Sequence, residues 1–106
     1  MNDEFDVTGN IKIIEFLKTE LIGSVAALYR VLNKGSKITQ DALSECLAGI
    51  IIIAYILAKR LGIEFSAIDL KVQNQLKIGI LEEDEIEKNY NDLSRLLGHL
   101  RDRKKD

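Results

Sequence analysis

One segment constrains this chain more than any other. Between residues 39 and 61 apolar side chains recur at helical spacing and then spill onto the remaining faces. Leu43, Leu47, Ile50, Ala54, Leu57 and Leu61 form the main stripe. Cys46, Ile51, Ile52, Ile53, Tyr55 and Ile56 add apolar surface elsewhere on the same helix. A helix that is apolar all round has to be enclosed on several sides. The tetrad Ile50-Ile51-Ile52-Ile53 has strand propensity. Helical spacing on both sides of it, and no other strand pattern in the chain, favour a helix. Residues 47–58 carry no charge, but Glu45 and Lys59 bound them. A spanning helix needs roughly 20 apolar residues, so the pattern predicts a buried core helix and no membrane span.

The rest of the chain supplies partners. A first helix is predicted from about Thr8 or Asn10 to Asn33, with Ile14, Leu17, Leu21, Val25, Leu28 and Leu32 as its stripe. Ile13, Phe16, Ile22 and Tyr29 widen that stripe, and Lys34-Gly35 ends the helix with a residue suited to the left-handed cap. The apolar helix starts where Ser36 to Thr39 offer capping hydroxyls, with Asp41 favouring the dipole, and Gly62 closes it. A third helix follows Glu64-Phe65, with Ser66 as N-cap, Ile68, Val72 and Leu76 inside, and an end near Gly79. A fourth opens on Glu82 to Glu85, carries Ile86, Tyr90, Leu93, Leu97 and Leu100, and closes on a mostly basic stretch from Arg101 to Lys105. The expectation is a single all-α domain, residues 1–106, built as a four-helix bundle. So thin a core cannot enclose the second helix alone, which predicts a homodimer or higher homo-oligomer formed through that helix.

Composition narrows the function classes. The chain has 106 residues, 46% hydrophobic and 30% charged, with a net charge of −2. That balance is globular and offers no basic surface for nucleic acid or an anionic membrane. The single cysteine, Cys46, allows no intrachain disulfide, and the acidic opening Met1 to Asp6 is no signal peptide, so a cytoplasmic protein is expected. No glycine-rich phosphate loop, Cys-x-x-Cys pair or nucleophile elbow is present. His99 lacks partners at metal-ligand spacing and reads as a solvated or interfacial residue; Cys46 reads as a small buried hydrophobe. Carboxylates on facing helices can hold a divalent ion. Glu20, with Asp41 and Glu45 at i,i+4, could converge if the first two helices pack antiparallel. The simpler reading is that all three are solvated surface carboxylates.

The order of parts resembles a known family. Glu20-Leu21-Ile22-Gly23-Ser24 and the residues after it are similar to the Glu-Glu-x-x-Glu helix of MazG-type nucleotide pyrophosphohydrolases. Glu45-Cys46-Leu47-Ala48-Gly49-Ile50, ending Lys59-Arg60-Leu61-Gly62-Ile63, is similar to their Glu-x-x-Asp helix and Leu-Gly-Ile turn. Residues 67–77 resemble the next helix. The opening residues 10–18, with Ile86-Glu87-Lys88 and Asp92-Leu93-Ser94, resemble the short MazG-like proteins of spore-forming Gram-positive bacteria. The resemblance implies an all-α fold of the MazG-like NTP pyrophosphatase type, usually dimeric or tetrameric. It further implies hydrolysis of a nucleoside triphosphate to monophosphate and pyrophosphate, with Mg²⁺ held by the acidic residues.

Residue by residue, the carry-over mostly fails. Glu20 matches the first glutamate of the motif, but Leu21 and Ser24 stand at the second and third. Counting back from Leu61, Cys46 stands at the fourth position and Gly49 at the aspartate. Leu, Cys and Gly offer no hard oxygen side chain to Mg²⁺. Glu45 lies one residue off, about 100° around the helix, and could substitute only if the helix were rotated. Three readings stay open. The first is a protein of this fold that lost its metal site and acts in nucleotide binding or regulation, with no cofactor. The second is an active Mg²⁺ enzyme with a site rebuilt from Glu20, Asp41 and Glu45, and with Lys34, Lys37 and Lys71 on the phosphates. The third is a purely structural helical dimerisation module.

Overall fold

The computed structural model describes residues 7–35 and 38–103. They form five helices and no strand: α1 Val7–Leu32, α2 Gln40–Arg60, α3 Phe65–Leu81, α4 Glu85–Tyr90 and α5 Asp92–Arg103. The chain divides into two compact units, residues 1–65 and 66–106. The first holds α1 and α2, which a short connection makes antiparallel neighbours. The second holds α3 beyond its first residue, together with α4 and α5.

The helix ends follow local chemistry. The Thr39 side chain accepts a hydrogen bond from the Ala42 amide at 3.1 Å and caps α2, as expected; Ser36 and Lys37 lie outside the described residues. Gly35 and Gly62 take φ of 67° and 88°. At Gly62 the chain closes α2 with a paired motif: Ile63 N–H donates to the Ala58 carbonyl and Gly62 N–H to that of Lys59. The junction after it is fastened by Lys59, which bonds Glu64 at 3.0 Å and lies over the Phe65 ring, itself edge-to-face with Tyr55.

The second unit departs from the expected boundaries. The third helix begins at Phe65, one residue before the expected cap Ser66, and runs past Gly79 to Leu81. The same paired motif closes it, with Asp84 N–H donating to Gly79 and Glu83 N–H to Ile80. The left-handed residue there is Glu83, at φ 52°. Gly79 serves another purpose: a Cβ built on it would meet Leu93 Cδ1 at 2.7 Å, so the glycine admits a close approach by Leu93. The expected fourth helix is two helices. Asn91, left-handed at φ 60°, ends α4, and α5 starts at the next residue. Asp84 caps α4 by accepting from the Ile86 amide at 2.9 Å.

The largest correction concerns α2. Its half-buried face is Leu43, Cys46, Gly49, Ile50, Ile53 and Leu57, whereas Leu47, Ala54 and Leu61 of the expected stripe are exposed. Ala58 is its one buried residue among those described, so the expected enclosure is not reached in the single chain. Ile51 and Ile52 remain 57% and 60% exposed. By length and composition, α2 is also the one described helix apolar enough to cross a membrane. Among the described residues, the buried ones are Leu17 on α1, Ala58 on α2, Leu76 on α3 and Leu97 on α5.

Candidate functional site

The positions singled out by sequence fall into two groups on the α1–α2 hairpin. Leu21, Ser24, Cys46 and Gly49 are all half-buried. Glu20, Asp41 and Glu45 are all exposed. The division follows from helical phase. Glu45 precedes Cys46 by one residue and is turned about 100° from it. The face of α2 that carries Cys46 and Gly49 goes inward, so the face that carries Glu45 goes out. α2 therefore has the orientation in which positions 46 and 49 face the hairpin interior.

No group of three or more His, Cys, Asp or Glu side chains able to hold a metal ion forms among the described residues, so Glu20, Asp41 and Glu45 do not converge into one. The side chains at the half-buried positions are a leucine, a serine, a thiol and a hydrogen. Mg²⁺ prefers near-octahedral oxygen ligation with at least one or two carboxylates. This donor set does not fit that ion. At Gly49 there is open space: a Cβ built there meets no heavy atom within 4 Å. The position could carry a side chain and carries none.

Among the lysines, Lys34 and Lys71 are exposed, while Lys37 lies outside the described residues. Lys34 follows α1 at the hairpin connection and Lys71 belongs to the other unit. His99 is exposed, and Cys46 is a free, half-buried thiol.

Sequence reasoning missed one polar constellation. Glu87 on α4 accepts the Ser94 amide at 3.0 Å and also the Ser94 hydroxyl. Ser94 lies in the first turn of α5, so the carboxylate serves as a cap donated by the preceding helix. The Ser94 hydroxyl, then its backbone N–H, hold the Glu87 carboxyl below the usual glutamate range. A spacing of seven residues across a helix break is no standard capping signature. The only hint was that both residues lie in segments that carried the family resemblance.

With this geometry in view, comparison with protein families is decisive: the model of the MazG-like family matches residues 7–93. The chain belongs to the MazG-like family. No curated protein and no solved structure matches it. Membership relates the chain to nucleotide pyrophosphohydrolase-type proteins. The matched span takes in both helices of the hairpin and stops within the first turn of α5, so it includes Glu87 but not Ser94.

Proposed function

We propose that this protein is a non-catalytic member of the MazG-like family, one that binds a nucleoside triphosphate or regulates a partner without hydrolysing the nucleotide. One observation carries the reading. The four family positions occupied by Leu21, Ser24, Cys46 and Gly49 are half-buried in the hairpin, while Glu45, the nearest replacement carboxylate, is exposed. A rebuilt site would need α2 turned the other way. The donor set at these positions does not fit Mg²⁺, so it offers no footing for metal-assisted hydrolysis. Cytoplasmic residence is part of the proposal, supported by the lone free thiol.

The test combines turnover and binding. Full-length protein is incubated with ribo- and deoxynucleoside triphosphates and Mg²⁺ or Mn²⁺, and pyrophosphate release is measured. The expected result is no release, no metal-dependent heat in calorimetry, and a nucleotide-dependent rise in melting temperature without metal. Turnover that vanishes in Glu20→Ala would overturn the proposal and favour an active enzyme. The absence of both turnover and a thermal shift would leave a structural helical module.

A further inference from the structure

We propose that α4 and α5 form a two-state device, in which the bent form held by the Glu87–Ser94 contact exchanges with a straight form whose residues 85–103 are one helix, with Ile86 in place of Leu93 against Gly79. The inference does not depend on the nucleotide reading. It starts from a conflict between side-chain pattern and backbone. Ile86, Tyr90, Leu93, Leu97 and Leu100 follow one another at steps of four, three, four and three, a period that suits one uninterrupted helix. The backbone breaks that helix at a single residue, Asn91, which takes φ 60°. Among residues with a side chain, Asn and Asp enter the left-handed region most readily, and Asn is also tolerated inside a helix. A change at this one residue joins the two helices.

Each form has contacts that the other lacks. In the bent form Glu87 accepts the Ser94 amide at 3.0 Å and the Ser94 hydroxyl. Along one straight helix seven residues span about 10.5 Å, beyond the reach of that pair, so the contact belongs to the bent form alone. Straightening gives the same segment other partners. The amides of Asp92, Leu93 and Ser94 begin α5 and have no carbonyl within it; in one helix they meet those of Lys88, Asn89 and Tyr90. The packing exchanges too. In the bent form Leu93 Cδ1 fills the space over Gly79, 2.7 Å from where a Cβ would stand. In a straight antiparallel pair, residues equally far from the connection at 82–84 face each other, which sets Ile86 and Glu87 opposite Gly79. Ile86 precedes Leu93 by seven residues, close to two turns, so it arrives on nearly the same side of the helix. The seam slides by one repeat and fills the same notch, which makes the motion a discrete step.

The step changes the surface. Ile86 and Tyr90 are 49% and 65% exposed in the bent form, while Leu93, Leu97 and Leu100, their companions in the seam, are buried or half-buried. In the straight form Ile86 lies against α3 and Tyr90 continues the same side. The Asp84 cap on the Ile86 amide serves either form. The device thus shows or hides an apolar patch, with the Glu87 carboxylate as its latch.

The experiment is NMR of the full chain with labelled methyl groups. The native protein is expected to show a nuclear Overhauser contact from Leu93 to the Gly79 Hα protons. Glu87→Ala combined with Asn91→Ala removes the latch and penalises the left-handed conformation. This double variant is expected to move the Gly79 contact from Leu93 to Ile86 and to slow exchange of the Asp92 and Leu93 amides by at least about 10-fold. Glu87→Ala combined with Asn91→Gly favours the left-handed conformation again and is expected to return the contact to Leu93. A joint with only one packed state does not respond to these two pairs in opposite directions. A Leu93 contact that stays on Gly79 in the Asn91→Ala pair overturns the proposal. Disorder of residues 85–103 in that pair overturns it as well, since no second packed state then exists. So does an Ile86 contact that persists in the Asn91→Gly pair.

Discussion

The helices α2 and α5 solve the same problem in opposite ways. α5 is short and polar on average, yet its leucines, Leu93, Leu96, Leu97 and Leu100, sit on one side, and of these Leu97 is only 7% exposed while Leu96 at the margin stays exposed. α2 is longer and far more apolar, yet among the described residues it buries no more than α5 does: Ala58 alone, against Leu97 alone. Burial therefore does not track the amount of apolar surface on a helix. It tracks whether that surface is gathered on a stripe that its neighbours can cover. The ends differ as well. α2 caps itself with its own Thr39, whereas α5 borrows the Glu87 carboxylate from α4.

This contrast can be broken by mutation, beginning with the largest effect. Leu97→Ala is expected to cost about 2–4 kcal/mol of folding stability, whereas Leu47→Ala on the exposed side of α2 is expected to change it by no more than about 0.5 kcal/mol. Urea denaturation of the two variants measures both. Comparable losses would show that α2 is covered after all. Next in size, Thr39→Ala is expected to cost about 1 kcal/mol by removing the α2 cap, read from the same urea midpoints.

Two glycine tests follow. Gly49→Ala is expected to stabilise by about 0.5–1 kcal/mol, since the helix gains and nothing stands in the way of a methyl group. Gly79→Ala is expected to gain less or lose, because Leu93 must move aside. The smallest effect is the pH dependence of the α4–α5 cap. The folded-state pKa of Glu87 is lowered, so its contribution is complete above the ordinary glutamate value of about 4.3. The contribution is lost as pH falls through the lowered folded value. A carboxyl NMR titration is expected to place Glu87 below the other glutamates in the native protein, and below its own value in Ser94→Ala. A normal midpoint in the native protein would rule out the borrowed cap.

The readable and unreadable parts of the fold separate along one line. Helix starts and stops that depend on a single side chain were legible: Thr39 as a cap, Gly35 and Gly62 as left-handed ends. Gly79 misled because a glycine can serve either as a helix end or as room for a neighbour. The room it leaves for Leu93 becomes visible only when α3 and α5 are folded. The break at Asn91 was likewise hidden inside a continuous apolar period, since Tyr90 and Leu93 keep helical spacing through it.

For the candidate site, the sequence carried the proposed reading through the family resemblance, which matches Leu21, Ser24, Cys46 and Gly49 to positions where the family has carboxylates. It could not settle which way α2 faces. On a helix with apolar residues at nearly every angle, periodicity gives no preferred side, and the stripe of Leu47, Ala54 and Leu61 looked as good as any. Packing against α1 made the choice: Leu43, Cys46, Gly49, Ile50, Ile53 and Leu57 lie on the half-buried face while Leu47, Ile51 and Ile52 stay outside. That choice turned Glu45 away from the hairpin interior and left an apolar face with a charge at either end.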